Sequence, residues 1–323
     1  MGLKDLMEAC GGRPVIPLLG SAGAKLTDTS LKQNAFNPVL HARSIQAIAD
    51  RFEPDAVFLM MDLSLEAGAL GLSIQYPHFQ PPTVQDHPVR ELGDLEGLRR
   101  VDILDDIRIQ GYIKALRLLD KASDIPKGVY MSGPFTLAGL LMGTSELAIA
   151  TITEPDLVHS LVGFCEGICL RYAKALEDAG ADIIAILEPT ATLLSPESFR
   201  TFCLGYVQGI IRELSPISVL HVCGDASHLI KEMVATGADG LSLDAPVDLC
   251  QAAREVPPDV VVIGNIDPVR IIAQESPKGV SEATRELIDR MRPHKNFILS
   301  TGCDIPYEAP LQNIDAFMKE GRL

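Results

Sequence analysis

Short apolar runs punctuate this chain, and amphipathic stretches separate them. The runs fall at 15–19, 56–61, 129–131, 182–187, 217–220, 240–243, 260–263 and 297–300. Unbroken apolar runs of this length are what parallel strands covered on both faces look like. Helical periodicity occupies 39–51, 107–121, 154–179, 197–214, 227–236 and 281–292. Gly180-Ala-Asp and Gly237-Ala-Asp each close a helical stretch and open a strand, as a left-handed glycine at a helix C-terminus does. Ser195-Pro-Glu-Ser opens the next helix, with Ser195 as its N-cap and Pro196 in its first turn.

Eight such units predict an α/β fold, a (β/α)8 TIM barrel, with one domain over 1–323. Residues 72–98 interrupt the alternation. They include the Pro-rich polar stretch Gln75-Tyr-Pro-His-Phe-Gln-Pro-Pro-Thr-Val-Gln, and predict a β-hairpin-like insertion after the second strand.

Composition narrows the class. The chain has 323 residues, 47% apolar and 22% charged, enough to build a sizeable core. No apolar run approaches the roughly 20 residues that span a bilayer, so no membrane partner is expected. The N-terminal residues carry no signal-like apolar segment. A cytoplasmic setting with reduced thiols follows as the expectation. A formal charge of −15 argues against nucleic acid, which requires a basic footprint.

The candidate chemistry sits where strands end. His221-Val-Cys223-Gly follows the run at 217–220, and Cys303 follows the run at 297–300. One imidazole and two thiols form a soft ligand set that suits zinc. If the two strands neighbour one another, three protein ligands meet and leave a fourth position open, the layout of a catalytic rather than a structural site. Asp244, at the end of the run at 240–243, is the first candidate for a displaceable fourth ligand, and Glu188, after 182–187, the second. Asp62, Asn265 and Asp267 also reach the predicted rim. The latter two either orient ligands through hydrogen bonds or cap the next helix. The remaining cysteines of the seven (10, 165, 169, 203 and 250) have no ligand-like company and read as buried thiols. His228 reads as a surface residue. His41, His78, His87, His159 and His294 read as structural or solvated.

Several longer motifs carry a resemblance. They are Ser132-Gly-Pro-Phe-Thr-Leu-Ala-Gly-Leu-Leu-Met-Gly-Thr, Glu154-Pro-Asp-Leu-Val-His, Leu194-Ser-Pro-Glu-Ser-Phe-Arg, His221-Val-Cys-Gly, Gly264-Asn-Ile-Asp-Pro and Gly302-Cys-Asp-Ile-Pro. Together they resemble the uroporphyrinogen decarboxylase superfamily, and within it the zinc-dependent methylcobamide:coenzyme M methyltransferase branch. The resemblance implies Zn2+ on His221, Cys223 and Cys303, and a methyl group passed from a methylcobamide to a thiol such as coenzyme M, or to tetrahydrofolate. It also implies a corrinoid carrier protein docking at the rim, and Asp244 or Glu188 as the catalytic group that handles the thiol proton. Where that branch typically carries Glu, this chain has Asp244. Three alternatives stay open. One is a methyltransferase that methylates the corrinoid from a methoxylated or methylated donor. Another is uroporphyrinogen decarboxylase itself, although the loop at 20–28 lacks the arginine that holds its polycarboxylate substrate. The third is a non-catalytic binding protein.

Overall fold

Seven parallel strands form one curved sheet in the order β1-β4-β5-β6-β7-β8-β9 in the computed structural model, which describes residues 2–10, 13–119 and 125–323. They are β1 (Val57–Phe58), β4 (Lys127–Ser132), β5 (Ile183–Leu187), β6 (Ile217–Val222), β7 (Gly240–Leu243), β8 (Val261–Ile266) and β9 (Phe297–Thr301). The eighth stave is the predicted first strand, pared to a single parallel bridge between Val15 and Leu299. Ile16 N donates to Leu299 O (2.9 Å) on one side, and Asp55 N donates to Val15 O (3.2 Å) on the other, which closes the ring. Pro14 and Pro17 explain the shortfall, because neither has an N–H to give to a ladder.

Side-chain alternation divides the interior from the outer shell. Ile183, Ala185 and Leu187 of β5 and Ile217 and Val219 of β6 fill the barrel, together with Tyr130, Ile263 and Ile298. Ile184, Ile186, Leu220 and Leu243 face the surrounding helices. A helix the sequence reading did not mark, Leu3–Ala9, plugs one end with Leu3, Leu6 and Met7.

Several boundaries differ from the sequence reading. β1 keeps only two of the residues predicted at 56–61. Met60 N turns away to donate to His41 Nε2 (2.9 Å), and Ser64 N closes on Asp62 Oδ1 (2.9 Å). β6 and β8 run further than their apolar cores, so His221 and Asn265 lie inside strands rather than beyond them. The segment after the first stave, read as a loop, is a buried helix, Gly20–Leu26. The helix expected at 107–121 starts at Ile107 and is described to Leu119; its expected end lies outside the described residues. Gly180 and Gly237 have φ of 95° and 81°, as the helix stops required. The insertion at 72–98 does contain a hairpin. β2 (Ile74–Gln75) pairs antiparallel with β3 (Thr83–Val84). Val89 N then bonds Leu141 O (3.0 Å), and Arg90 Nη1 bonds Met142 O (2.7 Å), tying the insertion to the helix Pro134–Met142. Among the described residues no single helix is long and apolar enough to cross a membrane.

Candidate metal centre

Three side chains converge at the C-terminal rim of the barrel. His221 points inward because it shares the parity of Ile217 and Val219 on β6. Cys223 shares that parity two residues on, and Cys303 comes from the turn after β9. His221 Nε2 lies 2.9 Å from Cys223 Sγ, Cys223 Sγ lies 3.2 Å from Cys303 Sγ, and Cys303 Sγ lies 3.9 Å from His221 Nε2. Their ligand atoms all fall within 4.8 Å of one another, the geometry of groups that can share one ion. β6 and β9 are not neighbours, since β7 and β8 lie between them. The curvature of the ring, rather than strand adjacency, brings the trio together.

The thiols interact strongly. Hydrogen bonding from Cys223, and then from His221, pulls the Cys303 thiol well below the ordinary thiol range. The same bond to Cys303, reinforced by burial, pushes Cys223 up. The two sulfurs thus share a hydrogen bond beside an imidazole, a donor set that soft divalent metals select. The imidazole is also oriented. His221 and Ser242 are register partners on β6 and β7, and Ser242 Oγ lies 2.9 Å from His221 Nδ1. This leaves Nε2 to face the sulfurs.

The two predicted carboxylates are not part of the group. Asp244 is close, but Gly224 N donates to its Oδ2 (2.8 Å) and Ala245 N to its Oδ1 (2.7 Å). Gly302 packs against it, and a Cβ on Gly302 would fall 2.6 Å from Ala245 N and 2.7 Å from Asp244 Oδ1. Asp244 thus fastens the turn carrying Cys223 against the turn carrying Cys303. Glu188 shares the outward parity of Ile184 and Ile186. It is fully buried, and accepts from Phe135 N (3.0 Å) and Thr136 N (2.8 Å) at the start of the helix Pro134–Met142. Each oxygen of both acids thus accepts a backbone N–H, with Asp244 beside the trio and Glu188 on the outward side of its strand.

The other expected residues take structural places. Asn265 Nδ2 pins the loop after β7 through Asp244 O (3.0 Å) and Val247 O (2.7 Å). Asp267 caps the helical turn Pro268–Ala273 through Val269 N and Arg270 N. Asp62 is buried and paired with Arg108. His228 is exposed and bonded to Leu194 O (3.0 Å).

Sequence reasoning missed four residues at the site. Ser242, one strand over from His221, was legible by parity with Asp244. Tyr130, inside the barrel, has a buried hydroxyl without a partner among the described residues; burial, then Asp304, Cys303 and Cys223, push its pKa up. Asp304 sits beside Cys303, with Oδ2 accepting from Ser21 Oγ (3.0 Å) and Oδ1 without a partner among the described residues. Burial, followed by the charge of Cys303, raises Asp304 to about 7. Arg108, in mid-helix, bonds Tyr76 Oη (2.8 Å) and lies over the Tyr76 ring at 4.7 Å.

A closed parallel barrel with one imidazole and two thiols gathered on its rim defines an α/β-barrel protein with a metal-type ligand cluster. The chain matches the family described as "Uroporphyrinogen decarboxylase (URO-D)" over residues 8–322, and it belongs to that family. It is 32% identical over 273 residues to the methylcobamide:CoM methyltransferase MtbA of Methanosarcina mazei, covering 82% of this chain and 78% of that protein. It is 25% identical over 304 residues to a uroporphyrinogen decarboxylase of Prochlorococcus marinus, covering 91% and 86%. A solved structure, a methyltransferase from Methanosarcina mazei, shares the fold with a TM-score of 0.89 at 24% identity, covering 98% of this chain and 97% of that one.

Proposed function

We propose that this protein is a corrinoid-dependent methyltransferase that moves a methyl group from a methylcobamide to a small thiol, using zinc held by His221, Cys223 and Cys303. The gathering of those three ligand atoms within 4.8 Å on an otherwise apolar barrel carries the reading. The relative from Methanosarcina mazei supports it, because its name specifies a methylcobamide donor and CoM as acceptor. A soft trio of one imidazole and two thiols suits zinc, which when bound would lower the pKa of an entering thiol and leave it as the nucleophilic thiolate. A decarboxylase has no evident use for such a set.

The chain's own residues prepare the rest. Ser242 fixes the imidazole's orientation, and Asp244 holds the two cysteine turns in register. Tyr130 and Asp304 present unsatisfied polar atoms beside the sulfurs, where an incoming group finds partners. In the transfer, the acceptor's sulfur forms a bond to the methyl carbon as the cobalt–carbon bond breaks. The electron pair stays on cobalt as cob(I)amide, and the thiol proton passes to solvent. A corrinoid presented by a carrier protein would meet the trio at the rim, where β6 and β9 end.

The test is an anaerobic assay of zinc-replete protein with methylcobalamin, offering coenzyme M and then tetrahydrofolate. Cob(I)alamin should accumulate with the thiol and not with tetrahydrofolate. No thiol-dependent demethylation would remove the reading.

A further inference from the structure

Small residues leave a cavity inside the barrel, beneath His221. Tyr130, Ala185, Val219 and Gly240 are register partners from β4 to β7 and form the layer below His221 and Ser242. Ala185 brings only a methyl group to that layer and Gly240 nothing. Leu3 of the plug helix rises against Gly240, where a Cβ would fall 2.8 Å from Leu3 Cδ1. The space that remains has room for about 30 Å³, lined by nine apolar residues and by Tyr130, His221 and Ser242. We propose that this cavity holds an ordered water molecule bridging Ser242 to Tyr130, and that Tyr130 is a positioning residue for the imidazole of the metal centre. The proposal rests on the metal-centre part of the methyl-transfer reading and adds a group behind the ligand that no motif marked.

Hydrogen-bond accounting makes the case. With Nε2 turned to the sulfurs and holding a metal, Nδ1 of His221 carries the ring's hydrogen and donates it to Ser242 Oγ. The Ser242 hydroxyl hydrogen then needs an acceptor. Among the described residues His221 is the one side-chain partner of Ser242 Oγ. Tyr130 lines the same space, its ring packed on Phe58 at 5.0 Å between centroids. Its hydroxyl is buried and has no partner among the described residues. Leaving two such hydroxyls unmatched in an apolar lumen is costly. A buried water needs at least two polar partners and roughly the 30 Å³ that a water occupies in the liquid, and the cavity offers both. The water accepts from Ser242 Oγ and donates to Tyr130 Oη, which leaves the phenol's own hydrogen for the side of the sulfurs. A chain from His221 through Ser242 and the water to Tyr130 thus braces the imidazole from behind.

The test begins with high-resolution crystal structures of zinc-loaded wild type and Tyr130→Phe, and of wild-type crystals pressurised with xenon. Wild type should show a water within hydrogen-bond distance of both Ser242 Oγ and Tyr130 Oη. A dry apolar cavity takes up xenon instead, so xenon in the wild-type cavity would overturn the proposal. Competition against a chromogenic chelator gives the energetic readout. Tyr130→Phe should weaken zinc binding about threefold, the worth of one hydrogen bond. It should weaken it no further in a Ser242→Ala background, where the chain is already cut. In proton NMR of the zinc-loaded protein, the His221 Nδ1–H resonance should move in Tyr130→Phe. Equal weakening in both backgrounds, or an unmoved resonance, would show that the phenol acts outside the chain and would also overturn the assignment. Failure of wild type to bind zinc would instead remove the metal-centre reading, and the crystallographic water would still decide whether Ser242 and Tyr130 are bridged.

Discussion

At the scale of single residues, the site depends on which way each side chain faces. His221 lies near the end of β6 and Glu188 just past β5, and both looked like ligand candidates in the sequence. Parity separates them: His221 continues the inward series Ile217, Val219, while Glu188 continues the outward series Ile184, Ile186. That count was available from sequence alone, and it also marks Ser242 as an inward partner. Ser242→Ala should weaken zinc binding about ten- to a hundredfold, as loss of a ligand's orienting bond does, while leaving the fold intact. Competition against a chromogenic chelator measures it. Glu188 makes a different prediction. Burial pushes its pKa from 4.5 to about 7, and Glu66 is raised to about 7 by the same cause. An acid whose folded pKa is raised binds extra protons in the native state. Its stabilisation is therefore complete below the unfolded pKa and is lost as pH rises through the folded one. The urea midpoint should fall as pH is raised from about 4.5 to about 7, and Glu188→Gln should flatten part of that slope. A midpoint that climbs across this window would contradict the account.

At the scale of elements, apolar runs located the strands, but their ends were set by groups the runs do not show. β6 and β8 extend through polar residues because His221 and Asn265 have partners inside the barrel or its loops. The first stave is short because two prolines break its ladder. The helix Gly20–Leu26 escaped notice because its small residues carry no apolar stripe. Gly23 is required there, since a Cβ would lie 2.5 Å from Ser44 O. The hairpin was legible from its proline-rich composition, but its anchor was not. Arg108, from the helix Ile107–Leu119, bonds both Asp62 on the rim and Tyr76 on the insertion. Arg108→Ala strands a buried carboxylate and should cost roughly 3–5 kcal/mol by urea denaturation. It should also loosen the hairpin, read as faster proteolysis within 72–98. Loss of the stability without any change at the hairpin would show that Arg108 only balances charge.

At the scale of the whole molecule, the barrel does the assembling. Cys223 and Cys303 lie 80 residues apart and just past strands separated by two others, yet their sulfurs approach to 3.2 Å because the sheet curves into a barrel. The sequence showed that the ligands belonged together chemically. The curvature of the sheet explains how they meet, and that depends on long-range pairing no local pattern encodes. Asp244 bonds one turn and packs against the other, so the metal-type set is built by tertiary contacts along one arc of the rim. The most direct measurement is metal analysis of the purified wild type and Cys303→Ser, with circular dichroism to confirm both are folded. The account predicts about one zinc per wild-type chain, with the variant folded, depleted of zinc and unable to methylate a thiol. Metal-free wild-type protein that still transfers methyl, and does so equally well as Cys303→Ser, would contradict it.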